Sequence, residues 1–218
     1  MKNNLPTIEN RTIAQRNITT LDKIYDLALN GIGGISEPLG DFVSDYISRY
    51  GRTEKAIDKM VSAQKLKLTT SGFVTGLGGL ITLPVAIPAD LASSLYVEMR
   101  MIAAIASLRG YNIYSDQVKT LVYVCMVGNA LGDVIKQAGI KTATQLTVKK
   151  LLPKLTREII VKINKAVGFR LLTKGGSKGV INVVKAIPII GGIVGGGFNY
   201  FEVEICAKWA KKMFNENA

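Results

Sequence analysis

Residues 68–89 form a run of 22 residues without a charged side chain, and Asp90 is the only charge before Glu98. A run of this length is long enough to cross a bilayer as a helix. Its composition predicts something else, because glycine and proline interrupt helices. The interrupting residues are Gly72, Gly76, Gly78, Gly79, Pro84 and Pro88. We therefore expect two shorter apolar pieces packed as a hairpin, either in a protein core or dipping into a bilayer.

A second apolar run rich in glycine, residues 186–198, lies near the C-terminus. Both runs contain pairs of glycines four residues apart, a spacing that lets helices approach closely. Two interpretations stay open for both runs: insertion into a bilayer or contact with lipid, and tight helix packing in a soluble core. The candidate residues for insertion or helix packing are Gly72, Gly76, Gly79, Gly192 and Gly196.

The rest of the chain has the spacing of amphipathic helices, with apolar residues three and four positions apart, and no segment alternates as a strand does. Helices are predicted to begin near residues 19, 39, 53, 88, 116, 141 and 199. The helix that begins near residue 116 is expected to continue through the uncharged residues 120–132. The sequence therefore predicts an all-α fold, a compact multi-helix domain over residues 19–218 with two Gly/Pro-rich apolar hairpin segments. Residues 1–18 are mostly polar and are expected to form a flexible tail.

The positive charge of the chain is concentrated in one segment. The formal net charge is +12, and residues 136–185 contain twelve basic residues and one acid, Glu158. Within this segment, residues 141–166 are predicted to form a basic amphipathic element that Pro153 interrupts. The candidate membrane-binding or anion-binding residues are Lys149, Lys150, Lys154, Arg157, Lys162, Lys165, Arg170 and Lys174.

A basic surface of this kind suits an anionic membrane leaflet, where each cation is worth about 1 kcal/mol. It also suits the phosphates of nucleic acid, and charge alone does not separate the two. Proteins that bind single strands combine cations with several aromatic rings, whereas Phe169 is the only ring in residues 136–185. A third interpretation is a solvated face that keeps the protein soluble. The pattern favours a membrane surface or lipid over nucleic acid.

Histidine is absent from the chain, which excludes Ser-His-Asp and Cys-His catalysis and histidine metal ligands. The two cysteines, Cys125 and Cys206, cannot form a zinc site alone and do not indicate a secreted disulfide framework. The first ten residues lack the apolar stretch of a signal peptide. We therefore expect a cytoplasmic protein without a metal or other cofactor.

Catalytic candidates are few. Ser62 and Lys65 have the Ser-x-x-Lys spacing of some acyl-transfer enzymes, a match short enough to arise by chance. Asp90 stands at the predicted start of a helix, where an acid stabilises the positive helix end. The alternative is a functional acid that binds a cation or a lipid headgroup, or relays a proton, with Arg100 or Arg109 as its partner.

Several segments resemble the EcsC protein family. In the first half these are SGFVTGLGGLITLP at 71–84, IPADL at 87–91, MIAAIA at 101–106 and RGY at 109–111. In the second half, VGFRLLTK at 167–174 and IPIIGGIVGGG at 187–197 are similar to the second signature of that family. The resemblance covers residues 51–214 in the expected order. It implies a bacterial helical protein, often encoded near an ABC exporter or envelope-stress genes.

Charge and resemblance together predict a non-enzymatic, cytoplasmic protein that associates peripherally with the inner face of a bacterial membrane. The basic segment would bind anionic lipid, or a membrane partner such as an ABC exporter, and the glycine-rich hairpins would contact the apolar phase. Two alternatives stay open. One is a membrane-perturbing defence or toxin-like effector, or a transporter-associated regulator. The other is an enzyme that acts on lipids, built around Asp90 or Ser62.

Overall fold

The structure is a computed structural model that describes residues 8–69, 87, 89–141, 146–173 and 196–215, with side chains for residues 13–66, 87, 91–141, 146–172 and 203–215. Its helices are α1 (Ile8–Asn30), α2 (Leu39–Tyr50), α3 (Glu54–Thr69), α4 (Ala89–Leu108), α5 (Asp116–Met126), α6 (Leu131–Gln137), α7 (Val148–Leu151), α8 (Arg157–Gly168) and α9 (Gly196–Met213). The described residues contain no β-strand, only an isolated bridge between Ile32 and Ser36. The predicted all-α fold is confirmed.

The predicted hairpins fall largely beyond these ranges. Gly72, Gly76, Gly79 and Gly192 lie outside the described residues, and Gly196 is the first residue of α9. The choice between bilayer insertion and core packing for the two glycine-rich runs therefore stays a prediction.

α4 forms the centre of the domain. α1, α2, α3, α5 and α9 all pack against it, and Met99, Ile102 and Ala106 have no exposed surface. The residues Leu91–Leu108 are long and apolar enough to cross a membrane, but 89% of them are buried inside the domain. We conclude that α4 is largely apolar because it is a core helix.

Ion pairs join α3 to both of its main neighbours. They are Glu54–Arg109 at the end of α4, and Asp58–Lys211 and Lys65–Glu204 on α9. From Asp58 to Lys65 along α3 the paired residue on α9 changes from Lys211 to Glu204, so α3 runs antiparallel to α9. The acids are more than half exposed, and exposed ion pairs contribute at most about 1 kcal/mol each. The ion pairs thus add little, and the buried apolar faces supply most of the stability.

The first helix begins earlier than the sequence predicts. α1 starts at Ile8, not near residue 19, so residues 8–18 are helical. Asn17, within this part of α1, is buried. A Cβ placed on Gly168 of α8 would lie 3.3 Å from the Cβ of Asn17, so the two helices approach closely there. The contact with α8 explains why a polar stretch belongs to the helical domain.

The predicted continuous helix through residues 120–132 is wrong. α5 ends at Met126, a 3-10 turn covers Gly128–Ala130, and the chain bends by 118° before it continues as α6. Gly128 has a φ of +54°, in the left-handed region that favours glycine. A Cβ there would lie only 2.9 Å from the Cγ2 of Ile205 in α9. The bend therefore depends on a glycine that also allows α9 to pack closely.

Candidate functional site

α8 is placed by its cap and by its apolar face. The Oγ1 of Thr156 accepts a hydrogen bond from the N–H of Ile159 at 3.4 Å and caps the helix start. The face that carries Ile163 and Val167 is buried against α1, α5 and α6. Pro153 lies in the turn before α8 and separates it from α7, as the sequence predicts. The opposite face of α8 is left in solvent.

The exposed face of α8 alternates basic and apolar side chains. Arg157, Val161, Lys165 and Phe169 are each four residues apart, so they lie one above another along α8 and its final turn. Val161 and Phe169 are 41% and 57% exposed, which is high for large apolar residues. We call these four residues the α8 stripe.

The turn before α8 adds further exposed residues of both kinds. Leu152 is 41% exposed, and the basic residues of α7 and of the following turn also lie in solvent. We use the name basic surface for the α8 stripe together with these residues and Lys162. Its members are Lys149, Lys150, Leu152, Lys154, Arg157, Val161, Lys162, Lys165 and Phe169.

The structure brings most of the predicted cations to this surface. Six of the eight candidates are exposed there, and the exceptions are Arg170 and Lys174. Arg170 is only partly exposed, in the π-helical turn after α8. Lys174 lies outside the described residues. The segment that the charge pattern singled out is therefore a solvent-facing surface over most of its described length.

The single acid of the basic segment is paired within α8. Glu158 and Lys162 form an ion pair at 2.7 Å, and the hydrogen bond from Lys162 lowers the pKa of Glu158. Lys154, Arg157 and Lys165 form no ion pair with an acid among the described residues. Three of the six cations on the basic surface are thus not neutralised by an acid in the described part of the protein.

An open groove of about 560 Å³ lies between the turn before α8 and the corner after α4. Gly110 has a φ of +81° and ends α4, and the N–H of Tyr111 donates to the backbone oxygen of Ala106 at 3.0 Å. Both features are typical of a glycine-ended helix. The groove is lined by Gly110, Tyr111, Asn112, Ser115, Gln117, Val118, Leu152 and Pro153.

The two arginines named in the alternative interpretation of Asp90 contact other residues. Asp90 lies in the first turn of α4, as predicted, and its side chain is outside the described residues. Arg100 is fully buried and donates to the backbone oxygens of Ala28 and Glu37 at 2.9 and 2.7 Å. Arg109 pairs with α3. A helix rises 1.5 Å per residue, which puts these arginines about 15 and 28 Å from Asp90 along α4. The contacts of these arginines do not support the alternative in which one of them is the partner of Asp90, and the role of Asp90 stays a prediction.

The catalytic candidates make ordinary structural contacts. The hydroxyl of Ser62 donates to the backbone oxygen of Asp58 at 2.8 Å, and Lys65 pairs with Glu204. Cys125 is fully buried, and burial raises the pKa of its thiol, so the thiol stays protonated. Within the described ranges, no group of three or more cysteine and acidic side chains could hold a metal ion. The described surface thus offers charge and apolar contact for binding.

A comparison with protein-family models matches residues 11–216 to the EcsC protein family. The chain belongs to the EcsC protein family. The match covers nearly the whole chain and extends beyond the residues that carry the resemblance in the sequence. Neither the curated proteins nor the solved structures gave a match.

Two of the EcsC-like segments border the candidate site. Residues 109–111 form the corner on which the groove is built, and residues 167–174 include the end of α8 with Phe169. Sequence reasoning missed the exposed residues Leu152 and Val161 and the groove itself. A signal for Val161 was present, because it stands four residues after Arg157 on the basic face of the predicted helix. No comparable signal pointed to the groove, which needs the distant α4 corner.

Proposed function

We propose that this EcsC protein binds peripherally to anionic membrane surfaces through the basic surface, without catalysing a reaction. The observation that carries the proposal is the α8 stripe. In it the exposed apolar residues Val161 and Phe169 alternate with the cations Arg157 and Lys165. Cations and apolar side chains on one exposed helix face are typical of helices that lie in the membrane interface.

A face that serves only solubility has no need for exposed apolar side chains. Apolar area in water is unfavourable by about 25 cal/mol per Å², yet Leu152, Val161 and Phe169 are 41%, 41% and 57% exposed. A membrane interface removes this penalty, because apolar side chains enter the acyl boundary while long cationic side chains stay among the phosphates. Single-stranded nucleic acid would favour several stacking rings, and Phe169 is the only one on the basic surface.

The same chemistry supports a location and a partner. Anionic lipids give the cytoplasmic leaflet a negative surface potential, and juxtamembrane cations bind to it. We therefore place the protein in the cytoplasm, at the inner face of a bacterial membrane. The EcsC membership adds a second candidate partner, a membrane protein such as an ABC exporter. The basic surface would bind this partner at the inner face of the membrane.

Co-sedimentation with vesicles tests this proposal. We expect the protein to bind vesicles of phosphatidylglycerol and phosphatidylcholine, and to leave vesicles of phosphatidylcholine alone in solution. Raising the salt from about 0.1 M to about 1 M shortens the Debye length from about 10 to about 3 Å and should release most of the bound protein. Equal binding to neutral vesicles, or binding that does not respond to salt, would refute electrostatic docking.

A further inference from the structure

The groove and the basic surface meet in the turn before α8. Leu152 lines the groove and is also 41% exposed on the basic surface. Pro153 lines the groove, and Lys154 follows it directly in the chain, exposed and without an ion pair among the described residues. An apolar slot therefore opens beside a cation that no described acid neutralises.

The walls of the groove are mostly apolar, and several of their polar atoms are already bonded within the corner. The Oδ1 of Asn112 accepts from the N–H of Tyr114 at 3.0 Å. The hydroxyl of Ser115 donates to the backbone oxygen of Asn112 at 2.8 Å and accepts from the N–H of Val118 at 3.3 Å. Gln117 differs, since its amide has no hydrogen bond among the described residues. The groove thus has mostly apolar walls, and the Gln117 amide and the Nδ2 of Asn112 are its polar side-chain groups without a hydrogen bond among the described residues.

The loop that lines the groove carries an exposed ring suited to a membrane interface. Tyr114 is 75% exposed, and it lies between the groove residues Asn112 and Ser115. A tyrosine combines an apolar body with a polar tip and is enriched at the level of lipid headgroups. Asp116 is the acid nearest to this rim in sequence, and Lys119 pairs with it at 3.4 Å.

We propose that this groove takes one acyl chain of an anionic phospholipid, with Lys154 binding its phosphate and Tyr114 lying at headgroup level. The inference rests on the proposed function, because it specifies how the membrane-facing surface holds a single lipid. A volume of about 560 Å³ is within the range of small-molecule sites. An anionic phospholipid matches both halves of the site, since its chain is apolar and its phosphate is negative.

Titration with dihexanoyl phosphatidylglycerol below its micelle concentration tests the groove apart from the bilayer. We expect saturable binding of one lipid per protein, about tenfold tighter or more than binding of glycerophosphoglycerol, the same headgroup without chains, because only the lipid can bury apolar surface. Inorganic phosphate serves as a third probe and should bind no better than the headgroup. Equal affinity for all three probes would show a site for the phosphate alone and would overturn the proposal.

Two variants locate the binding. Gln117→Trp fills the groove from a partly exposed position and should weaken lipid binding about tenfold or more. Gln137→Trp, the same change at an exposed position at the end of α6, should leave it unchanged. Leu152→Gln removes apolar lining at an exposed position and should also weaken binding, which keeps the test valid if Gln117→Trp does not fold.

The outcomes separate this inference from the proposed function. The groove site would be overturned if both groove variants bound monomeric lipid as well as the wild-type protein does, or if the wild-type protein bound no monomeric lipid. In either case binding to anionic vesicles would leave the proposed function intact. Loss of monomeric lipid binding in both groove variants would support the groove, provided that Gln137→Trp is unaffected and that Gln117→Trp, which lies outside the basic surface, largely retains vesicle docking. Failure of the wild-type protein to bind anionic vesicles would instead overturn the proposed function.

Discussion

Replacing Lys150, Lys154, Arg157 and Lys165 together by glutamine is expected to weaken binding to anionic vesicles about a thousandfold. Each cation near an anionic leaflet is worth about 1 kcal/mol, and every 1.4 kcal/mol changes an affinity about tenfold. All four side chains are exposed on the basic surface, so their loss should not disturb the core. Vesicle titration gives the dissociation constants, and thermal melting verifies that the variant is folded.

A matched control distinguishes the effect of this surface on vesicle binding from the effect of the net charge of the protein. Lys55 and Lys59 of α3 and Lys208 and Lys212 of α9 are also exposed, and changing them to glutamine lowers the net charge by the same amount. We expect this control variant to bind within a few-fold of the wild-type protein, because its cations lie on other helices. Equal weakening by both variants would mean that overall charge drives binding and that the basic surface has no special role.

Arg100→Leu is expected to lower the free energy of unfolding by about 3–5 kcal/mol. Arg100 has no exposed surface, and its guanidinium lies 4.9 Å from the centre of the Phe42 ring. It donates to the backbone oxygen of Ala28, near the end of α1, and to the backbone oxygen of Glu37 before α2. Leucine would leave both oxygens without their donor, and an unsatisfied buried group costs about 1–3 kcal/mol.

Glu37→Gln is the control for the charge of this contact. The Oε1 of Glu37 lies 3.3 Å from the guanidinium, and its side chain is 50% exposed. An amide oxygen can still accept that bond and both backbone oxygens keep their donor, so the change should cost less than half as much as Arg100→Leu. Chemical denaturation followed by the fluorescence of Trp209, the only tryptophan, measures both. Unchanged stability in Arg100→Leu would show that Arg100 does not anchor α1 to the α2 entry.

The helices that the sequence predicted well are those whose ends have local causes. The helix start at Ser115 is an example, because the Oγ of Ser115 accepts from the N–H of Val118 three residues later. The separation of α7 from α8 is another, since proline disrupts a helix wherever it stands in the interior. The end of α4 at Gly110 likewise needs only a glycine with positive φ. Such features depend on neighbours in the chain and can be read from it.

The features that sequence reasoning missed depend on distant contacts. The break at Gly128 interrupts an uncharged stretch of helical spacing, and its cause includes Ile205 of α9. The early start of α1 depends on the contact of Asn17 with α8. Arg100 could not be assigned to Glu37 because that contact crosses from α4 to the turn before α2.

In the candidate site, too, the features with local causes were predicted and those that depend on distant contacts were missed. The cations of the basic surface were predicted from charge density alone, which needs no knowledge of packing. The exposure of Val161 had a signal in its spacing from Arg157, whereas the exposure of Leu152 depends on how the turn before α8 packs and could not be predicted. The groove joins residues more than thirty positions apart, from Val118 to Leu152, and no local pattern in the sequence marks it.

The most direct test asks which face of the protein meets the bilayer. Cys125 and Cys206 are buried, so an environment-sensitive thiol probe can be attached selectively at an introduced cysteine. Val161→Cys puts the probe on the α8 stripe, and Ser48→Cys puts it on an exposed position of α2, whose main neighbours are α1, α3 and α4. With anionic vesicles that contain brominated lipids, we expect strong quenching of the probe at position 161 and little at position 48. Quenching at position 48 alone, or to the same degree at both positions, would contradict docking through the basic surface.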